Sequence, residues 1–231
     1  MYLYGASGHA KVIIDILKSQ GVEVNGCIDD DPSKDRLAGY EVLHDADGCD
    51  PLIVSIGDNA IRKSIANRLT GHVFGTGVHV SAVVSPSSRI AEGTVVMPGA
   101  IVQADAVIGR HCIINTGATV DHECTIGDYV HISPNASLCG NVSVGEGTQI
   151  GAGSVVVPGV RIGRWSLICA GSVVTRDIPD YCIAAGNRCK VIKTMNKECC
   201  IPDFEGGDFE SRVGCRRMFC LHNMKDLNYA A

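Results

Sequence analysis

The hydrophobic residues of this chain follow two different patterns along its length. In the first part, short apolar runs alternate with one segment of helical spacing, in which Val12, Ile13, Ile16 and Leu17 share a face. The pattern predicts strands at Met1–Tyr4, Val22–Ile28 and Pro51–Ile56, and helices from His9 to about Ser19 and from Ala60 to about Leu69. Strand, turn, helix and strand in this order indicate a small Rossmann-like α/β domain with a parallel sheet.

From Val78 the period changes to six residues. An aliphatic residue recurs at every sixth position through Val174, and most are followed four residues later by a small side chain such as Ala100 or Ala118. Neither the helical period of 3.6 nor the strand period of 2 sustains this register. Each hexapeptide is therefore expected to form one side of a three-sided prism, with three hexapeptides per coil and about 4.8 Å between coils. The sequence predicts a parallel β-helix with an aliphatic core.

Composition and charge narrow the function. The 231 residues are 45% hydrophobic, and the net charge of −5 includes no long run of one sign, which argues against capture of nucleic acid or an anionic membrane. No apolar stretch approaches the roughly 20 residues of a membrane span, and the N-terminus reads as a strand rather than a leader. We expect a cytoplasmic protein without membrane insertion, whose twelve cysteines are mostly reduced and buried.

One segment of the repeat offers acid–base chemistry. His122 occupies an outward corner of its hexapeptide and is followed by Glu123. A neutral imidazole can accept a proton near neutral pH, and a carboxylate can fix its tautomer. Gly140 follows His122 by one full coil and is expected directly above it, so that its backbone N–H is available to an oxyanion. The alternative is that His122 is an ordinary exposed corner residue.

The N-terminal domain contains candidate positions for a phosphorylated ligand. A glycine-rich loop between the first strand and helix can present backbone N–H groups to phosphate, although it lacks the full G-x-G-x-x-G pattern and a tight turn explains it equally well. Acidic residues ending the next strand can accept hydrogen bonds from a base or a sugar. The candidate substrate residues in this domain are Gly5, Ser7, Gly8, His9, Asp29, Asp30, Gly57 and Asn59.

Several motifs resemble a known family. Ile150-Gly-Ala-Gly-Ser and Ile162-Gly-Arg-Trp-Ser resemble the units of hexapeptide-repeat acyltransferases, whose coils are left-handed. Tyr4-Gly-Ala-Ser-Gly-His-Ala, Ser55-Ile-Gly-Asp-Asn-Ala-Ile-Arg and Asp121-His-Glu-Cys-Thr-Ile-Gly resemble the PglD-like acetyltransferases of UDP-4-amino sugars and the related sialic acid O-acetyltransferases. The resemblance covers residues 2 to 193. It implies a mixed fold, in which the α/β domain precedes a left-handed parallel β-helix.

The resemblance also implies roles for particular residues. His122 would be the general base, Glu123 its partner and the Gly140 amide the contact of the thioester carbonyl, with acetyl-CoA as co-substrate and the UDP portion held by the N-terminal residues. Acetyl-CoA would lie along the coils above His122, where Ala152 and Ala170 continue the surface. His131 lies nine residues, half a coil, from His122, and Asn115 lies close to the edge that bears His131. A site using both edges would therefore lie between subunits of a homotrimer, whereas the alternative is that His131 is a solvated corner residue.

The expected organisation is a sugar-nucleotide-binding domain at residues 1–77, a catalytic β-helix at 78–195 and a tail at 196–231. The chain departs from the family at Arg188, where a proline is usual, and in a tail containing Cys199, Cys200, Cys215, Cys220 and His222. These tail residues match no firm zinc pattern, and no metal site is predicted.

The expected activity is N-acetylation of a nucleotide-linked amino sugar of the UDP-4-amino-4,6-dideoxy-N-acetylhexosamine type. The same base could instead acetylate a hydroxyl, as in a sugar or sialic acid O-acetyltransferase. A function of a different class remains open, either a β-helix scaffold or a carbonic-anhydrase-like metal protein. For a metal site the sequence offers only His111, His122 and His131 as ligands.

Overall fold

The computed structural model describes residues 1–196, which form the two predicted parts. The first is a five-stranded sheet with helices α1 (Gly8–Ser19) and α2 (Asn59–Arg68). Its strands in chain order are β1 (Tyr2–Tyr4), β2 (Gly26–Ile28), β3 (Arg36–Leu37), β4 (Tyr40–Leu43) and β5 (Leu52–Val54). The sheet order is β3-β4-β2-β1-β5, parallel except for the β3–β4 hairpin, which the sequence pattern did not predict.

The second part is a three-sided parallel β-helix, as predicted. Each side is a sheet of very short strands, and each strand pairs with those one coil below and one coil above, as in Ile101 with Thr119. The docking face consists of Gly77–Val78, Val95–Val96, Ile113–Ile114, His131–Ile132, Gln149–Ile150 and Leu167–Ile168, extended by Cys182–Ala185 and the antiparallel Lys190–Thr194. The apolar face consists of Val83–Val84, Ile101–Val102, Thr119–Val120, Ser137–Leu138, Val155–Val156 and Val173–Val174. The polar face consists of Arg89–Ile90, Val107–Ile108, Thr125–Ile126, Ser143–Val144 and Arg161–Ile162.

The six-residue repeat places the aliphatic side chains in one continuous core. Val102, Val120 and Leu138 follow one another up the prism and are at most 1% exposed. The small inward residues include hydroxyls that are satisfied by backbone carbonyls, such as Thr148 Oγ1 to Gly163 at 2.6 Å. A buried hydroxyl without such a partner would cost free energy, so these bonds let polar side chains occupy the core.

One edge of the prism, between the polar and docking faces, forms the junction with the N-terminal domain. We call it the junction corner. His111 stacks on Tyr129 with ring centroids 5.3 Å apart, while Trp165 lies over Gly147, where a Cβ would come within 2.5 Å of the indole. The backbone of all these residues is left-handed, with φ between 52° and 67°.

Helix α2 is attached to the junction corner by a buried arginine. The guanidinium of Arg62 is 1% exposed and donates to the carbonyls of His111 (2.7 Å) and Tyr129 (2.9 Å) on the prism. It also donates to the carbonyls of Ile56 and Gly57 in its own domain. Burial lowers the pKa of Arg62 to about 10, which leaves the side chain charged at neutral pH. Arg62 therefore fixes the two domains to each other.

The eight cysteines among residues 1–196 are free thiols, and six are buried. Burial raises the pKa of the Cys112 thiol to about 12, so this thiol stays protonated and behaves as a small apolar residue. Within the described part of the chain, neither helix has the length and apolar content that crossing a bilayer would require. The Cys and His residues of the tail lie outside the described residues.

Candidate active site

His122 lies on the edge between the apolar and polar faces, which we call the catalytic edge. Its Nδ1 is 3.1 Å from Glu123 Oε2, and the two side chains are 57% and 65% exposed. Glu123 has a left-handed backbone, with φ of 59°, which turns its carboxylate back toward the imidazole of the preceding residue. The carboxylate can hold the proton on Nδ1 and leave Nε2 free to accept one.

Gly140 lies against the other side of the imidazole. A Cβ at this position would come within 2.5 Å of both Cε1 and Nε2 of His122, so only glycine accommodates the ring here. None of the hydrogen bonds found within residues 1–196 uses the Gly140 N–H. A free amide thus lies next to the candidate base, as the coil period predicts.

The imidazole and this amide border an open cavity. Its volume is about 500 Å³. It is lined by Asp121, His122, Cys139, Gly140, Asn141, Pro158 and Gly159. Two glycines and a proline, in the two coils above His122, border this open cavity along the edge.

A second polar cluster lies on the docking face. Nδ2 of Asn115 is 2.9 Å from Nε2 of His131. Because the amide nitrogen can only donate, His131 Nε2 accepts this bond. Burial lowers the pKa of His131 to about 3, and the positive charge of Arg62 and the neighbouring His9 act in the same direction. Asn115 lies close to His131, as the coil period predicts, and both are remote from His122 around the prism.

His9 completes this cluster from the N-terminal domain. Burial, and then the charge of Arg62, lower its pKa to about 4, so that both His9 and His131 are neutral at pH 7. Among the described residues, His9 Nε2 and His131 Nδ1 are buried without a hydrogen-bond partner. Neutral imidazoles with unused ring nitrogens can form hydrogen bonds to a polar group of a ligand.

The glycine-rich loop and the acidic pair form the rest of the N-terminal site. Gly5 has φ of 110° and a Cβ would meet the Ile56 side chain at 2.6 Å, so glycine is required for the turn itself. Ser7 precedes helix α1 and makes no side-chain cap, and Gly8 begins the helix. The N-terminal amides of α1 are therefore available to an anion.

Asp29 and Asp30 already have partners within the protein, which the sequence does not indicate. Asp29 Oδ2 accepts from the Ala6 amide (2.7 Å) and Lys34 Nζ (2.8 Å). Burial alone would raise the pKa of Asp29, but these bonds together with that from Asp31 lower it. Asp30 pairs with Arg68 at 2.8 Å and accepts from the Tyr4 hydroxyl. Asp29 shapes the loop, whereas the more exposed Asp30 keeps acceptor capacity toward solvent.

The structure places Asn59, and the pair Ala152 and Ala170, differently from the sequence-based expectation. Asn59 is buried, donates to the carbonyls of Gly147 (3.0 Å) and Thr148 (3.4 Å), and accepts from Arg62, so both ends of its amide are used at the junction. The placement of Ala152 and Ala170 above His122 is wrong for a single protomer. They are exposed on the edge between the docking and apolar faces, and the whole width of the apolar face separates that edge from the catalytic edge.

The histidines of the metal alternative do not converge within one protomer. His111 is 3% exposed and packed between Phe74 and Tyr129, and burial lowers its pKa to about 4. Within residues 1–196, no group of three or more His, Cys, Asp or Glu side chains is arranged to hold a metal ion. Gly93, one coil before His111, is the sequence signal for this packing, since its missing side chain makes room for the ring.

Comparison with known proteins supports this description. Residues 1–69 match the PglD N-terminal domain family, and residues 87–176 match the bacterial transferase hexapeptide family, which fits the predicted left-handed coil. The chain is 42% identical over 107 residues to the UDP-N-acetylbacillosamine N-acetyltransferase of Bacillus subtilis, covering 41% of this chain and 50% of that protein. The chain spans half or less of the length of the curated relatives it matches.

Solved structures cover more of the molecule. A histidine variant of perosamine N-acetyltransferase from Caulobacter crescentus, in complex with CoA and GDP-perosamine, is 41% identical with a TM-score of 0.80, covering 83% of this chain and 96% of that one. The acetyltransferase domain of PglB from Neisseria gonorrhoeae, in complex with acetyl coenzyme A, is 34% identical with a TM-score of 0.77, covering 83% and 98%. The chain therefore belongs to the PglD-like hexapeptide-repeat sugar acyltransferases.

Proposed function

We propose that the protein transfers the acetyl group of acetyl-CoA to the amine of a nucleotide-linked amino sugar, with His122 as general base. The observation that carries the proposal is the His122–Glu123 pair beside the free amide of Gly140, at the end of an open groove. The two solved structures named above contain CoA or acetyl coenzyme A, and one of them also holds GDP-perosamine.

The chemistry follows from two groups. The amine nitrogen attacks the thioester carbonyl carbon while His122 Nε2 accepts the proton that the nitrogen loses. The Gly140 N–H donates to the carbonyl oxygen as it becomes an oxyanion. The C–S bond then breaks, the amide forms, and the imidazolium returns the proton to the departing CoA sulfur. Glu123 stabilises the imidazolium through Nδ1.

The catalytic edge has the length needed for the pantetheine arm. The positions of His122, Gly140, Pro158 and Arg176 are eighteen residues apart, and each comes two residues after a strand of the apolar face. These strands pair from coil to coil as far as Val173–Val174. Three coils at about 4.8 Å place Arg176 about 14 Å above His122. Thirteen bonds join the thioester sulfur to the first phosphorus of CoA, a reach of about 15 Å when three bonds span about 3.4 Å. A CoA whose thioester lies at His122 therefore brings its diphosphate to Arg176.

The acceptor comes from a neighbouring protomer in this proposal. Asn115 and His131 lie on the docking face, whereas His122 lies on the opposite edge, so the two clusters meet only between copies of the chain. The apolar face is open in one protomer, with outward valines such as Val83 (61% exposed) and Val155 (37%). Packing of this face in a homotrimer would bury these valines and bring the two clusters together.

We infer that the acceptor is of the UDP-4-amino-4,6-dideoxy-N-acetylhexosamine type. The amides of Ser7, Gly8 and His9 at the start of α1 suit the diphosphate, and Asp30 with Arg68 offers an acceptor and a donor to the base or sugar. The neutral imidazoles of His9 and His131 suit a sugar, because they can hydrogen-bond hydroxyl groups without repelling a nearby cationic amine. Ala152 and Ala170 would contact the pantetheine arm only from an adjacent protomer.

Thiol release from acetyl-CoA against a panel of UDP-, GDP- and CMP-linked sugars, with and without an amine, tests this function. His122→Ala should lower kcat about 10²-fold or more, because the base is lost. His79→Ala is the matched control. Among the described residues the His79 side chain forms hydrogen bonds only with Ser81 in the first coil, so this change should leave turnover unchanged. Turnover of hydroxyl sugars alone would contradict N-acetylation. Near-normal turnover of His122→Ala would remove His122 from its role.

A further inference from the structure

The last coil carries a cationic groove that the catalytic residues leave unused. Its volume is about 560 Å³. It is lined by Thr175, Arg176, Arg188, Cys189 and Lys190. The three cationic side chains are exposed, and none forms an ion pair with another described residue. The nearest carboxylate in sequence, Asp177, caps the Arg161 amide at 2.8 Å. The groove therefore has an uncompensated positive charge.

Arg188 is held in this groove by the backbone of the closing loop. The Gly186 carbonyl accepts from the Val173 amide (3.1 Å), and the Cys189 amide donates to the Val173 carbonyl (2.8 Å). The Gly186 amide is 3.2 Å from Ser172 Oγ. These bonds hold the backbone on both sides of Arg188, so the side chain extends from a defined Cα position.

The same pairing sets the height of Arg188 on the prism. Asn187 forms a parallel bridge with Val173, so the loop lies one strand spacing, about 4.8 Å, above the coil that carries Arg176. The diphosphate of a CoA anchored at His122 reaches Arg176. The next group of CoA is the ribose with its 3′-phosphate, a monoester with about −1.5 to −2 charges at pH 7. Arg188 is the next cation along this path.

We propose that Arg188 binds the 3′-phosphate of CoA and lets this protein distinguish CoA from 3′-dephospho-CoA. The inference rests on the proposed function for the placement of the thioester at His122. A guanidinium matches the paired oxygens of a phosphate, and a charge-assisted contact of this kind changes affinity by about tenfold or more. Arg188 stands where the family usually has proline, so the contact is a property of this chain.

Equilibrium binding of CoA and 3′-dephospho-CoA to the full chain, by calorimetry at low salt, tests the proposal. Wild type should bind CoA about tenfold or more tightly than dephospho-CoA. Arg188→Ala should lose most of this difference by weakening CoA binding alone, and Arg188→Lys should retain part of it. Arg188→Pro, which introduces the usual family residue, should behave like Arg188→Ala. Arg89→Ala, an exposed arginine on the polar face, is the charge-matched control and should change neither affinity.

The outcomes separate this proposal from the proposed function. Equal wild-type affinity for the two compounds would overturn the role of Arg188 while leaving acetyl transfer intact. Equal weakening of both compounds in Arg188→Ala would assign Arg188 to the diphosphate or to loop shape, and would also overturn it. Failure of the wild type to bind CoA at all would overturn both. A difference that persists in Arg188→Ala would assign the 3′-phosphate to Arg176 or Lys190 instead.

Discussion

Replacing Gly140 with alanine tests the geometry of the candidate site with one methyl group. The Cβ would come within 2.5 Å of Cε1 and Nε2 of His122, whereas nonbonded carbon atoms prefer about 3.5 Å or more. The imidazole must therefore move by about 1 Å. Displacements of this size at a reacting group cost about 10²-fold in rate. The Gly140 amide itself remains, so the change isolates the position of the base from the oxyanion contact.

We expect Gly140→Ala to lower kcat about 10²-fold with little loss of stability. The φ of Gly140 is not in the left-handed region, and His122 is 57% exposed and can turn toward solvent. Steady-state kinetics by thiol release, with thermal unfolding as the folding control, measure the two effects. The double variant with His122→Ala should be no slower than His122→Ala alone. An unchanged kcat, or the same further loss in the His122→Ala background, would refute a steric effect on the base.

Two further predictions concern the junction. Arg62→Met leaves four backbone carbonyls without their donor. It should reduce the free energy of unfolding, measured in urea, by about 3 kcal/mol or more, and Arg62→Lys should have an intermediate effect. A loss below about 1 kcal/mol would contradict the role of Arg62 in fixing the two domains to each other. Burial holds the pKa values of His9, His111 and His131 below the ordinary value of about 6.5. The unfolded chain therefore binds more protons than the folded one between about pH 6.5 and about pH 4. The free energy of unfolding should fall with pH in this range, by up to about 1.4 kcal/mol per pH unit for each histidine. His111→Phe should remove one of the three contributions, and an unchanged pH slope would contradict this.

The prism was predictable because stacking imposes one register on every coil. A shift of one residue in the six-residue spacing, for example between Val102 and Val120, would disrupt both the aliphatic core and the strand pairing. The same coil period placed Gly140 on His122. The sequence-based prediction placed Ala152 and Ala170 on the wrong edge. Ala152 lies two hexapeptides after Gly140, and residues at this spacing occupy different edges of a three-sided coil, whatever the size of their side chains.

Other features depend on contacts that sequence spacing does not encode. The acceptors of Arg62 on the prism lie 49 and 67 residues away, so nothing in the polar sequence of α2 indicates that this side chain is buried. The β3–β4 hairpin has strands too short to show a period, and its turn at Ala38 and Gly39 is hidden among charged residues. The bond from the Ala6 amide to Asp29 forms only because two strands lie side by side, and no local sequence pattern indicates it.

The junction corner bears on how such enzymes can be recombined. The rings of Tyr129 and Trp165 project from the prism, while Arg62 and Asn59 project from α2, so each domain supplies half of one fitted surface. A chimera that joins the N-terminal domain to a foreign coil would need those rings, and the spaces left by Gly93 and Gly147, in that coil. Exchange of whole N-terminal domains between related proteins is therefore expected to require matching substitutions along this edge of the prism.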